Sequence, residues 1–480
     1  MVFSSPVFLF LFLPLVLALH VAMPKGGRNA LLLAASLLFY AWGEGLFVAV
    51  MLVSIALNHL AGVALDRRRG GAAARLILGL GVAANLALLG AFKYANFLVD
   101  NLNAALPALG LAPVQLDPVH LPVGISFFTF QAMSYLVDVY RAEAPARHGP
   151  LQVALYIALF PQLIAGPIVR YHQVARQIVE RLVTFDDFAH GVQRFTIGLG
   201  KKMLVANPLG AVADQVFALP AADLSAPLAW LGIACYTLQI YFDFSGYSDM
   251  AIGLGRLFGF HFPENFNYPY ISRSVREFWR RWHMSLSGWF RDYLYLPLGG
   301  NRLGGVRTGV NLLTVFLLCG LWHGASWNFV IWGLLHGAFL ALERGPWGRL
   351  LDAAWAPLRH AYALLVVMVA WVFFRAETLP DALGYLAAMA GLSAGDPARS
   401  AALYLDNEVL LCLAVGAAGS LPLIPRLADW RDRRRDRGAW GTTAELAFSG
   451  TAALALCLLL AASAMGLAAG TYNPFIYFRF

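Results

Sequence analysis

Residues 308–342 read TGVNLLTVFLLCGLWHGASWNFVIWGLLHGAFLAL, an apolar run too long for one helix, with a histidine near its middle. A hydrocarbon layer about 30 Å thick takes about 20 mostly apolar residues per crossing helix. The run must therefore break, and Gly320, Gly324 and Gly333 offer places for it. Broken backbone at membrane depth is tolerated only where protein buries it or a water-filled cavity meets it. The run thus points both to a membrane fold and to a functional cavity.

The same pattern repeats outward in both directions. Apolar runs cover residues 4–22, 30–43, 45–65, 76–99, 121–139, 151–169, 226–258, 308–342, 358–376, 405–424 and 445–469. Hydrophobic residues make up 59% of the chain and charged residues 13%, against roughly 25% charged in a soluble domain. No polar stretch is long enough to fold alone, so residues 1–480 read as a single membrane domain. The predicted fold class is all-α and polytopic. The 30–43 run is short for a full crossing. The 151–169 run does not close the count of crossings, which makes it a candidate re-entrant element.

The net charge of +8 is no nucleic-acid signal, because the basic residues sit in short loops between apolar runs. There they set orientation by the positive-inside rule and can meet anionic headgroups. Arg67–Arg69 with Arg75, Arg170 to Lys202, Arg256 to Arg307 and Arg426 to Arg437 should face the cytoplasm, and residues 101–120 should face outward. The mixed run Arg431–Arg437 reads as a solvated loop. Residues 3–19 read as a retained first helix, since no basic segment or small-residue cleavage site accompanies them. Cys235, Cys319, Cys412 and Cys457 show neither pairing nor metal-ligand spacing and read as small core residues.

Polar groups inside such runs are costly and mark function or internal pairing. Four places stand out. His323 lies in Gly320-Leu321-Trp322-His323-Gly324, with Asn328 close behind. Burial disfavours a charged imidazole, so His323 reads as a neutral general base or as a hydrogen-bonded core histidine. His336 is a second candidate, and its spacing from His323 is not that of a helical zinc pair, so no metal is expected. Residues 273–293 form a basic, aromatic segment containing Arg280, Arg281, Trp282 and His283. That composition suits interfacial anchoring, or a mouth where arginines grip donor phosphates. Asp243, Ser245 and Asp249 form a polar network that either shapes a tunnel or pairs with nearby cations. The tail 471–480 holds five aromatics, fit for an interfacial belt or for a covalent acyl relay through Tyr477.

The block Arg276-Glu277-Phe278-Trp279-Arg280-Arg281-Trp282-His283-Met284-Ser285-Leu286-Ser287 continues into Phe290-Arg291-Asp292-Tyr293 and Pro297-Leu298-Gly299-Gly300-Asn301-Arg302. With Leu321-Trp322-His323-Gly324, it resembles the membrane-bound O-acyltransferase family, and most closely its bacterial alginate O-acetylase branch. The resemblance covers nearly the whole chain. It implies about eleven spans of ~20 residues, with re-entrant or interfacial helices, around a central funnel or tunnel. It assigns His323 as the catalytic histidine and His283 as the second histidine. It implies a cytoplasmic thioester donor, acetyl-CoA or an acyl carrier protein, as substrate, with no tightly bound cofactor. It also implies an extracytoplasmic lipase-like (SGNH) acetyltransferase partner, polysaccharide-secretion proteins, membrane lipid and a bacterial inner-membrane location. The acceptor stays open among alginate, cellulose, peptidoglycan and other exported glycans. Two other classes compete: a proton-coupled transporter or flippase, and a non-catalytic scaffold of a polymer-secretion complex.

Overall fold

Residues 308–342 fold as two helices, Gly305–His323 and Trp327–Leu342, with the break at residues 324–326. Of the three glycines, only Gly324 breaks the run. Gly320 and Gly333 instead let the two helices touch. A Cβ on Gly320 would lie 2.2 Å from the Phe329 carbonyl oxygen, and one on Gly333 would lie 2.2 Å from that of Phe316. Small residues permit such close approach, which is the main source of helix association in lipid. The break leaves His323 as the last helical residue, held against the turn that follows it.

The structure is a computed structural model that describes residues 1–146, 149–437, 441–470 and 472–474. The described residues form helices and contain no strand. The 226–258 run becomes one unbroken helix, Ala226–Leu257. It packs along Phe185–Lys201. The charges of the two meet inside: Asp249 pairs with Arg194 at 2.8 Å and with Lys201 at 2.7 Å. Asp243 pairs with Lys202, one residue beyond the partner helix, at 2.9 Å.

Five described helical segments are long and apolar enough to cross a membrane, or six if the bent pair Asn407–Gly419 and Leu423–Asp436 counts as one. The eleven crossings read from the runs are not reached by that measure. Residues 151–169 show why. They form two short helices, Pro150–Ala158 and Phe160–Leu163, and residues 153–169 are buried. The run is apolar because protein surrounds it. A second correction concerns Arg431–Arg437: apart from Arg437 it lies on the helix Leu423–Asp436, with a 51° bend before it, although its arginines are solvated. The third concerns residues 273–293. They form two short helices, Val275–Arg281 and Met284–Phe290, running on into a π-helix from Arg291. Trp279 and Trp289 on the helices and Trp282 between them pack into the core, so these tryptophans are no interfacial anchors.

Candidate active site

The turn between those two short helices sets the first histidine. His283 has φ +43° and ψ +53°, a left-handed conformation that is uncommon outside glycine and tends to persist where the surroundings enforce it. Here Asn265 enforces it. The Asn265 backbone carbonyl accepts from Met284 N–H at 2.9 Å. Its side-chain oxygen accepts from Ser285 N–H at 3.2 Å and from Ser285 Oγ–H at 2.8 Å, and lies 3.1 Å from His283 Nδ1. Its amide nitrogen donates to Ser248 Oγ at 3.0 Å. A backbone N–H can only donate, so the Asn265 oxygen faces the turn, and a neutral His283 must carry its proton on Nδ1. That leaves the Nε2 lone pair free, and Nε2 is buried without a hydrogen-bond partner among the described residues.

The second histidine is set from the opposite side. Lys93 ends the helix Ala72–Lys93, is buried, and points its ammonium at the end of the His323 helix. It donates to the Trp322 carbonyl, to the His323 carbonyl at 3.1 Å and to Ser126 Oγ at 3.1 Å. Next to it, Tyr94 Oη donates to the Leu321 carbonyl at 2.6 Å. Helix ends leave carbonyls unsatisfied, and a cation there also complements the helix dipole. Three successive carbonyls around His323 are thereby held. The two imidazoles lie with ring centres 6.4 Å apart and their planes tilted by 58°. His323 Nδ1, like His283 Nε2, has no partner among the described residues.

A small cavity reaches His323, and two larger cavities nearby are lined by other residues. A space of about 20 Å³ touches His323, Lys93 and Ser126, room for about one water. A larger cavity of about 500 Å³ is lined by Gly324, Ser326, Lys93, Pro474 and the Asp214–Arg375 ion pair. On the basic face, a cavity of about 430 Å³ is lined by Asn267, Glu277, Arg280 and Arg281. Asn267 N–H bonds the Arg281 carbonyl at 2.9 Å, so the strand of chain that grips His283 at Asn265 also forms this wall. Burial alone would raise the Glu277 carboxyl. Hydrogen bonds from the Arg273 backbone and the Arg281 guanidinium outweigh it and hold the group below its usual value.

The remaining sequence candidates distribute as follows. Arg280 is exposed in the basic cavity with no ion pair among the described residues, whereas Arg281 is held by Glu277 at 2.9 Å. Trp282 lies among Phe278, Phe266 and Trp371, away from the cavity's lining. His336 accepts from Trp279 Nε1 at 3.2 Å and is separated from His323 by Trp332, whose ring contacts both. Asn328 donates to the Ala376 carbonyl at 2.8 Å. Asp243 and Asp249 sit in ion pairs, and Ser245 is buried beside them. Tyr477 lies outside the described residues. Lys93, Tyr94 and Asn265 were not among the candidates. Lys93 carried a usable signal, a charge inside an apolar run. Asn265 carried none.

Comparison with known proteins joins this geometry to chemistry. The model of the membrane-bound O-acyltransferase family matches residues 109–376. The chain is 45% identical to the probable alginate O-acetylase AlgI of Azotobacter vinelandii, with all of both chains covered. It is 43% identical to the protein of that name from Pseudomonas aeruginosa, again over all of both. It is also 37% identical to the peptidoglycan O-acetyltransferase of Helicobacter pylori, covering 82% of this chain and 80% of that one. Transporter and scaffold readings give way to these matches. The chain belongs to the membrane-bound O-acyltransferase family and is a membrane-embedded acyltransferase.

Proposed function

We propose that this chain, working as a single membrane domain over residues 1–480 in the bacterial inner membrane, carries an acetyl group outward for O-acetylation of an exported polysaccharide of the alginate type. The observation that carries the reading is the close pair His283 and His323, each with a buried nitrogen that has no partner among the described residues, with a small cavity reaching His323. The names of the relatives, an alginate O-acetylase and a peptidoglycan O-acetyltransferase, support acetyl as the group and a glycan as its destination.

The basic face is the cytoplasmic one by the positive-inside rule. A thioester donor, acetyl-CoA or an acyl carrier protein, enters at the cavity containing Arg280, whose unpaired guanidinium suits a phosphate. Arg281 and Trp282 shape that mouth, Arg281 by lining it and Trp282 by packing behind it. An acceptor hydroxyl arrives from the opposite cavity. His323 takes its proton, the oxygen attacks the thioester carbonyl carbon, and the carbon–sulfur bond breaks. The departing thiolate recovers the proton from the imidazolium. A positioned base of this kind typically contributes about 10²–10⁴-fold in rate. His283 orients the donor and, with Nε2 unprotonated, relays the proton. His336, Asn328, Asp243, Ser245 and Asp249 hold the surrounding walls.

The first acceptor in this scheme is the Tyr477 hydroxyl. Pro474 lines the outer cavity beside Gly324, and the three residues from there to Tyr477 can span about 10 Å. The acetyl ester on Tyr477 is then handed to a lipase-like acetyltransferase of the secretion machinery. Two variants test the scheme in cells. His323→Ala should abolish polymer acetylation while the protein inserts normally, and full acetylation would remove His323 from the chemistry. Tyr477→Phe, which removes the acceptor hydroxyl, should lose both transfer to the polymer and thioester turnover. Undiminished polymer acetylation would end the relay while leaving the histidine assignment intact.

A further inference from the structure

A second cavity on the basic face has no part in this chemistry. It measures about 620 Å³ and lies where the first helix gives way to the second, against the segment 176–182. Lys25, Arg28, Arg176 and Arg181 line it, with Glu180 as its one carboxylate. The nearest Arg176–Glu180 approach is 3.9 Å, with both side chains largely exposed, so that pair neutralises little.

Arg181 is the built part of the cavity. Its Nε donates to the Phe258 carbonyl at 2.9 Å and its Nη1 to Asn29 Oδ1 at 2.7 Å, and the guanidinium lies over the Phe260 ring at 4.4 Å. The third nitrogen, Nη2, is buried with no hydrogen-bond partner among the described residues. Burial, and then the neighbouring Arg28 charge, lower this guanidinium to about 10. An anion between Arg28 and Arg181 would satisfy the free nitrogen and relieve the repulsion.

The rim identifies the source of that anion. Of the lining residues, Val179 and Leu182 are 51% and 68% exposed, and just beyond them Phe185, Phe188 and Val192 form one exposed apolar stripe at helical spacing on Phe185–Lys201. A soluble phosphate has no use for such a rim, whereas acyl chains do. Basic pockets between membrane helices on the cytoplasmic side suit anionic headgroups. We infer that this cavity holds the phosphate of an anionic phospholipid of the cytoplasmic leaflet, with its acyl chains along the exposed stripe. The inference is independent of the acyl-transfer reading.

The test uses the full-length protein in nanodiscs of phosphatidylcholine with a minor fraction of phosphatidylglycerol, followed by native mass spectrometry of retained lipid. Wild type should retain phosphatidylglycerol in preference. The triple variant Lys25→Gln, Arg28→Gln, Arg176→Gln should lose at least about tenfold of that preference, since each basic residue near an anionic surface is worth roughly fivefold. These side chains make few internal contacts, and Arg28→Lys with Arg176→Lys should restore retention if folding is sound. An equal loss of charge at Arg433, Arg434 and Arg435 should leave retention unchanged. Retention that survives the triple variant, or falls equally with the control, overturns the site. Displacement of the lipid by inorganic phosphate at millimolar concentration would assign the cavity to a soluble anion and reject the lipid.

Discussion

The residue with the most leverage on the chemistry is one that touches no reacting atom in the proposed scheme. Lys93 donates to the carbonyls of Trp322 and His323 from a different helix, and so fixes the end of the helix on which the base stands. Removing its ammonium leaves buried carbonyls unpaired, at about 1–3 kcal/mol each, and lets the imidazole shift. A misplacement of 1 Å can cost about 10²-fold in rate. We therefore expect Lys93→Met to lower kcat by about 10–100-fold while the KM for the donor thioester changes little, and Lys93→Arg to recover part of the loss. Steady-state kinetics on protein normalised for folded amount is the check. An unchanged kcat would mean that Lys93 serves folding alone. The residue was legible in principle, since it lies within the 76–99 run, but a lysine in the last third of a run reads equally well as one reaching for the surface. Asn265 was not legible at all, because its importance arises only from contact with a turn eighteen residues away.

At the scale of elements, hydropathy located the apolar runs and misjudged what surrounds them. The run 151–169 is apolar enough for a membrane helix and failed only to close the count of crossings, which marked it as a candidate re-entrant element. Protein encloses it, and composition cannot distinguish a protein interior from lipid. The run 308–342 was read as broken, and it is, but the sequence offered three glycines of equal standing. Only the crossing of the two helices tells them apart. Gly324 lies in the break, while Gly320 and Gly333 face the partner helix within contact of its backbone. Alanine at either contact position must push the helices apart. Overpacking of this kind typically costs about 1–3 kcal/mol, so Gly320→Ala and Gly333→Ala should lower the melting temperature in detergent and cut transfer together. Gly345→Ala, whose Cβ would meet its nearest neighbour at an ordinary 3.5 Å, should do neither. Melting curves that do not separate the two groups would refute the close packing.

At the scale of the whole molecule, the sequence revealed charges inside the apolar runs and left their partners open. Asp243 is paired with Lys202, both almost wholly buried. Breaking such a pair by removing one partner typically costs about 3–5 kcal/mol, whereas replacing both with apolar groups is often neutral. Lys202→Met should therefore destabilise strongly, and Lys202→Met with Asp243→Leu should regain most of the melting temperature. Transfer should stay impaired in the double variant, because Lys202 also donates to the Pro474 carbonyl and so anchors the cavity wall. Recovery of both properties would show that this anchor is dispensable. The segment at Pro474 has one more tie: Asn473 reaches back 469 positions to Ser4, donating to its carbonyl at 2.7 Å. Ser4 is translated 469 positions ahead of Asn473. The tie can form only after the helices between the two residues have been made. A nascent chain that stalls short of Asn473 would carry both histidines but lack this tie in the cavity wall.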